Sequence, residues 1–465
     1  MPDRLSQFLT LLALALALGS ARAAEPAPPA KPEAKPEGDP AAILRAYFAE
    51  ADAAKRPALA ARFAAVAPKS WDDLKKMLHE AAPRPPLPAG RHTFEAKPEG
   101  GAAPVKYLLR VPEGYAGEPA RGWPLIVSSL YKLAGGPEPS MDAIEGWLGA
   151  DRDRYLIAVA QPPRDGPFEP DRAYLEHPLH VLADVRQRAN IDSDRILLMG
   201  HLKSGYLAWV TALFSPGEWA ASVPIMSRPF TEAGAIGCTL YMPNVLNLAI
   251  QAHWGAEHLD ANQKEGNGPL SREAAAELAR LGARKFEGIE YPGEGRIGHV
   301  NTDRLRPFVA AARRDPFPAE CRLIFHRLFQ GRNYYVRATA AAKPEFEFRA
   351  RHAFKPVAGE SPEKALRNLI VREAYELTAR MPPGANTLTV LARNLREIEI
   401  ELSAERLDFT KPIRITANSR AVQWNKPLDY AELLETARRT GDFERLIGGR
   451  LKMPVPAGPT QPLAP

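Results

Sequence analysis

Apolar residues recur along the chain in three successive rhythms. Residues 41–88 open with helical spacing that runs to about residue 82. In its last helix Ser70 is the cap, Asp73 follows three positions on, and Trp71, Leu74, Met77 and Leu78 form one apolar face. The proline-rich stretch Pro83 to Pro88 ends the segment. From about residue 91, short continuous apolar runs alternate with helical stretches. The expected strands are Tyr107–Val111, Leu125–Leu130, Tyr155–Gln161, Arg195–Gly200, Ala221–Met226, Val245–Gln251 and Phe286–Tyr291. Helices are expected at His180–Ala189, Ser204–Phe214 and Ser271–Leu281. Apolar strands separated by helices predict an α/β domain over residues 89–316, with a mostly parallel sheet covered on both faces.

The third rhythm is period two. Arg396–Leu402 alternates, which puts Ile398, Ile400 and Leu402 on one face of a half-buried strand. Further strands are expected at Leu323–Phe329, Tyr334–Ala338, Thr387–Ala392 and Ile413–Ala417. One helix is signalled by Ser361 as cap, Pro362 at the first helical position, and Leu366, Leu369, Ile370 and Leu377 on a shared face. The reading is a smaller β-rich domain over 317–452, followed by a disordered tail over 453–465. No internal repeat is visible.

The first 40 residues change the picture of location. Phe8–Leu18 is an apolar run behind Arg4, and Ala21-Arg22-Ala23 is an A-x-A cleavage pattern. Residues 1–23 therefore read as a signal peptide, which predicts a periplasmic or secreted protein. Residues 24–40, rich in Pro, Ala, Lys and Glu, read as a disordered tether. No later run is long and apolar enough to span a bilayer, so an integral membrane protein is not expected. The chain has 465 residues, 45% hydrophobic and 25% charged, enough apolar material for two or three folded units. Its net charge of +6 is spread among interspersed signs, which argues against a nucleic-acid partner. The two cysteines, Cys238 and Cys321, either pair in an oxidising compartment or stand as separate buried thiols.

The segment DRILLMGHLKSGYLAWVTALFSPGEWAASVPIMSRP combines a strand, a Gly-His turn and a helix beginning Lys203-Ser204-Gly205. This is the layout of a nucleophile elbow. With GRHTFEAKPEG, YLLRVPEGY, HVLADVRQRANIDSDRI and FEGIEYPGEGRIGH, the text over residues 90–316 resembles the secreted esterase and prolyl-oligopeptidase-like (peptidase S9-like) branch of the α/β-hydrolases. The resemblance implies a triad, and this sequence departs from it. Leu202 stands where the family has its serine, and a leucine has no lone pair to attack a carbonyl. Ser204, two positions on, is flanked by the bulky Leu202 and Tyr206, which suits a helix-turn hydroxyl better than a nucleophile. The family's His-Gly oxyanion turn is replaced by Leu130-Tyr131-Lys132. The acid position falls on Glu257 or Asp260, with His258 at that place in one alignment. His299 occupies the position of the general base.

His253, Glu257 and His258 do not match the H-E-x-x-H spacing, and no metal site or cofactor is expected. Asn333-Tyr334-Tyr335-Val336-Arg337 reads as core and edge positions of a strand, and Arg313-Arg314 and Arg438-Arg439 as solvated charges. The expectation is a hydrolase fold without serine-hydrolase activity, its cleft rimmed by Tyr131, Leu202 and His299. Its expected partner is a small molecule, a glycan or an envelope protein. The alternative is an active ester or peptide hydrolase using Ser204 or a metal-activated water.

Overall fold

A computed structural model describes residues 38–98, 103–117, 122–129, 136–162, 168–258, 266–297, 299–348 and 359–458. The signal peptide, most of the tether, Tyr131 and Asp260 lie outside the described residues.

The first rhythm folds into α1 (Pro40–Ala49), α2 (Arg56–Ala64) and α3 (Trp71–Ala81). Asp39 caps α1 with its carboxylate, so the tether expected to reach residue 40 gives way to helix there. Ser70 caps α3 by accepting from the Asp73 N–H, and Asp72 and Asp73 sit favourably at its positive end.

The second rhythm builds an eight-stranded sheet from β1 (Gly90–Ala96), β2 (Val105–Val111), β3 (Trp123–Ser129), β4 (Leu156–Ala160), β5 (Ile191–His201), β6 (Ala221–Ile225), β7 (Ala249–Gly255) and β8 (Phe286–Tyr291). Its order is β1-β2-β4-β3-β5-β6-β7-β8. The pairs β1–β2 and β2–β4 are antiparallel, and every later pair is parallel. Strands β4 and β6 are buried along their whole length, as expected for strands covered on both faces. The connecting helices are α4 (Glu138–Leu148), α5 (Arg172–Arg188), α6 (Lys203–Phe214), the short α7 (Gly237–Leu240) and α8 (Asn267–Arg280), and α9 (Thr302–Ala311) follows the last strand.

The third rhythm forms two further sheets. One runs β10-β11-β14-β17, from β10 (Arg332–Asn333), β11 (Val336–Ala341), β14 (Leu395–Leu402) and β17 (Gly449–Pro454). The other runs β16-β15-β13-β12-β9, from β9 (Glu320–Phe325), β12 (Tyr375–Arg380), β13 (Thr387–Arg393), β15 (Ile413–Ala417) and β16 (Arg420–Trp424). Ile398, Ile400 and Leu402 are fully buried as the alternation predicts, each burial being worth about 1.5–3 kcal/mol. Helix α10 (Pro362–Glu373) has the expected Ser361 cap, whereas Leu377 leaves that helix for the interior strand β12. Met453, where the tail is expected to begin, instead pairs with Ile398 and is buried, and residues 459–465 lie outside the described residues. Helix α11 (Tyr430–Thr440) completes the set, and its Leu433, Leu434 and Ala437 pack with α1–α3 in one apolar cluster.

A network of buried charge ties the elements together. Arg314, its side chain 1% exposed, forks both terminal nitrogens onto Asp442 at 2.8 and 2.9 Å. It also donates to Asp194 at 2.9 Å. Arg186 joins Asp442 to Glu218, and Arg445 joins Glu218 at 2.9 Å. Burial opposes ionisation of these acids, yet the surrounding guanidinium groups hold Asp442 and Glu218 below the usual carboxylate range. Arg314 is therefore an interior residue and not the solvated charge its sequence neighbourhood suggests. Cys238 and Cys321 are separate buried thiols, and burial pushes the Cys321 thiol up to about 12.

Candidate active site

Strand β5 ends at His201 and α6 begins at Lys203, so a single residue makes the turn. That residue, Leu202, has φ 58° and ψ −118°, a conformation that an L-residue with a branched side chain rarely adopts. The turn is locked on both sides: the Leu202 N–H donates to the Ile225 carbonyl at 3.0 Å, and the Tyr206 N–H donates to the Leu202 carbonyl at 3.1 Å. Two glycines make this possible. A Cβ on Gly200 would come within 2.2 Å of the Ser204 carbonyl oxygen, and one on Gly205 within 2.7 Å of the Ile225 carbonyl oxygen. The outcome is a sharp strand-to-helix turn that pushes its central side chain outward, and Leu202 is 37% exposed.

Ser204 is held in the turn by hydrogen bonds to the backbone of His201. Its hydroxyl donates to the His201 carbonyl at 2.8 Å and accepts from the His201 N–H at 2.8 Å. His201 is half-buried, its ring edge-on to Trp147, and Nε2 meets the Ile297 carbonyl at 3.2 Å. That bond brings the chain before His299 up to the elbow, so the structure gathers Leu202 and His299 at one end of the sheet.

His299 is an exposed ring, 62% accessible, standing edge-on to Tyr291. Among the described residues the carboxylate nearest to it is Glu294, at 3.6 Å from Nε2. This distance is too long for a hydrogen bond, and a pair this exposed is worth at most about 1 kcal/mol. Neither the exposure nor the spacing resembles a buried carboxylate orienting a catalytic imidazole. Glu257 is exposed, and its backbone N–H donates to the Glu294 carbonyl at 2.9 Å. Glu294 was not among the expected acids. Its signal was the GEGRIGH segment, where a carboxylate precedes the histidine by five positions.

Beneath this surface lies a buried polar chain. His253 contacts the Tyr291 hydroxyl through Nδ1 at 3.0 Å and Gln251 through Nε2 at 3.1 Å. Burial lowers His253 to about 4, so it is neutral at ordinary pH with both ring nitrogens engaged. His258 accepts from the Asn267 N–H at 3.3 Å. Among the described residues, no three His, Cys, Asp or Glu side chains converge as a metal cluster. Tyr334 and Tyr335 are buried, but they form the turn between β10 and β11, with Tyr334 at φ 51°, so the expected strand begins only at Val336.

The eight-strand order, the antiparallel first strands and the strained turn after β5 define a fold of the α/β-hydrolase type. No family model and no curated protein matches the sequence. Solved structures do match at low similarity. A thermostable esterase aligns over 47% of this chain and 60% of its own, at 21% identity and TM-score 0.34. A protein of Bacteroides ovatus described as a dipeptidyl aminopeptidase IV aligns over 48% of this chain, at 15% identity and TM-score 0.36. The alignment spans only 36% of that longer protein. An S-formylglutathione hydrolase from Agrobacterium tumefaciens aligns over 50% of this chain and 98% of its own, at 14% identity and TM-score 0.35. Among the described residues no helix is long and apolar enough to cross a membrane.

Proposed function

We propose that this chain is a pseudo-hydrolase, exported behind the Phe8–Leu18 signal segment, that binds a ligand or partner at its former cleft and does not hydrolyse it. The observation that carries the reading is Leu202. It occupies the turn that presents a nucleophile, in the strained conformation of that turn, and its side chain offers no nucleophilic atom. The engagement of both sides of the Ser204 hydroxyl by His201 supports the same reading, as does the exposed, loosely paired His299.

Hydrolysis of p-nitrophenyl acyl esters tests it. The wild-type chain is expected to show no turnover above the uncatalysed rate, and a Leu202→Ser variant to gain a measurable burst or turnover. Turnover by the wild type that disappears in His299→Ala would overturn the proposal. Mass spectrometry of the mature protein tests export, with an N-terminus at Ala24 expected.

A further inference from the structure

A cavity of about 730 Å³ opens at the far end of α6 from the elbow, where Thr211, Phe214 and Ser215 form part of its wall. The intervening helix is about 18 Å long at 1.5 Å per residue, so this is a separate site. Its other walls come from α5, β10–β11 and α11, together with Glu218, Asp442 and Arg445 of the buried charge network.

The lining is sorted by charge. Deep in the cavity Arg186, Arg445, Glu218 and Asp442 neutralise one another. Toward solvent Glu176 and Asp184 are engaged by Arg172 and Arg188, and basic side chains remain without a partner. Lys97, Arg337 and Arg439 are exposed and make no ion pair or side-chain hydrogen bond among the described residues. Between floor and rim lie the apolar faces of Leu179, Phe214 and Phe329, the last with the Arg172 guanidinium 5.6 Å from its centroid. Three polar atoms of the lining residues are buried without a hydrogen-bond partner, Thr211 Oγ1, Glu401 Oε2 and Arg445 Nε. A cavity of this size suits a small organic molecule.

We propose that this cleft is a binding site for a small organic anion, with its phosphate or carboxylate head on Arg337 and Arg439 and its apolar body against Phe329 and Leu179. Unpaired guanidinium groups favour such heads because their planar donors match two oxygens at once. The site is independent of the elbow, and neither its success nor its failure bears on catalysis.

Calorimetric titration of the full mature chain with phenyl phosphate, benzoate and inorganic phosphate tests the proposal. Saturable binding of phenyl phosphate or benzoate is expected, the tighter of the two identifying the head group, with inorganic phosphate weaker than phenyl phosphate. An Arg337→Glu/Arg439→Glu double variant is expected to lose roughly tenfold or more in affinity, and Arg439→Glu alone a smaller factor. A Leu202→Ser variant is expected to bind as the wild type does. Both charge reversals lie at exposed positions, and an unchanged melting temperature shows that the fold is intact. The proposal is overturned if neither aromatic anion binds below about 10 mM, or if binding survives the double reversal undiminished.

Discussion

The elbow and the charged seam spend polar groups in opposite ways. At the elbow the backbone keeps a costly shape around a side chain without polar atoms: Leu202 sits at φ 58° and is 37% exposed. At the seam, ordinary backbone brings together Arg186, Arg314, Arg445, Asp194, Glu218 and Asp442, which are buried or nearly so. The shape of the turn is set by Gly200, Gly205 and the strand that follows, so it persists when the central side chain changes. The seam depends on every one of its members, because a guanidinium left alone in the interior has neither water nor a carboxylate. Strain at the elbow thus surrounds an alkyl side chain, whereas the seam holds its charges in mutual pairs.

The sharpest way to break that contrast is at Asp442. Asp442→Ala leaves Arg314 and Arg186 without their shared carboxylate and is expected to cost about 3–5 kcal/mol, read as a lower denaturation midpoint in urea. An effect below about 1 kcal/mol would show that water reaches the seam, contrary to its burial. Acid tests burial at three further positions. Burial lowers His177 to about 3 and His253 and His326 to about 4, so all three are neutral in the folded chain near pH 7. The unfolded chain takes up these protons near pH 6.5, so stability is full above that value and falls toward pH 4. The slope is roughly 1.4 kcal/mol per pH unit for each histidine while the unfolded form is protonated and the folded form is not. Chemical denaturation at pH 7, 6, 5 and 4 measures it.

The elbow is expected to respond weakly, and partly in the opposite direction. Leu202→Gly relieves the left-handed strain and gives up little burial, so a gain of about 1 kcal/mol is expected in the same assay. Ser204→Ala removes a hydroxyl that bridges only the His201 backbone and is expected to cost about 1 kcal/mol. If Ser204→Ala instead abolished an ester-hydrolase activity, the elbow would be chemically alive and the contrast would fail.

The alternation of Ile398, Ile400 and Leu402 and the unbroken runs of the central strands carried most of the fold, because burial on one face or on both leaves a period in the text. The elbow was readable for a similar reason: its glycines must lie at fixed offsets from the turn. Leu377 shows the limit, since its spacing fits the helix before it as well as the strand it joins, and tertiary pairing with Leu323 decided between them. The burial of Arg314 had no local signal at all, because its partner Asp442 lies 128 positions away. Glu294 was hidden differently. A carboxylate near a histidine in sequence says nothing of distance until the loop is folded. The narrow apolar stripe of α11 had a cap at Asp429 and a left-handed Gly441 at its end, yet its meaning depends on helices at the opposite end of the chain.

That last contact sets the order in which the chain completes its fold. Tyr47 and Arg56 meet Glu435, and His79 meets Glu444, across separations of more than 360 residues. As the chain emerges from synthesis or export, α1–α3 reach the folding compartment first but find their apolar partner last. Until residues 430–446 arrive, Leu44, Phe63 and Leu78 have no α11 to bury against, and closing so long a loop is slow. The earliest helices therefore act as a clasp that shuts after everything between them has folded, and a chain cut before α11 would expose that face to aggregation.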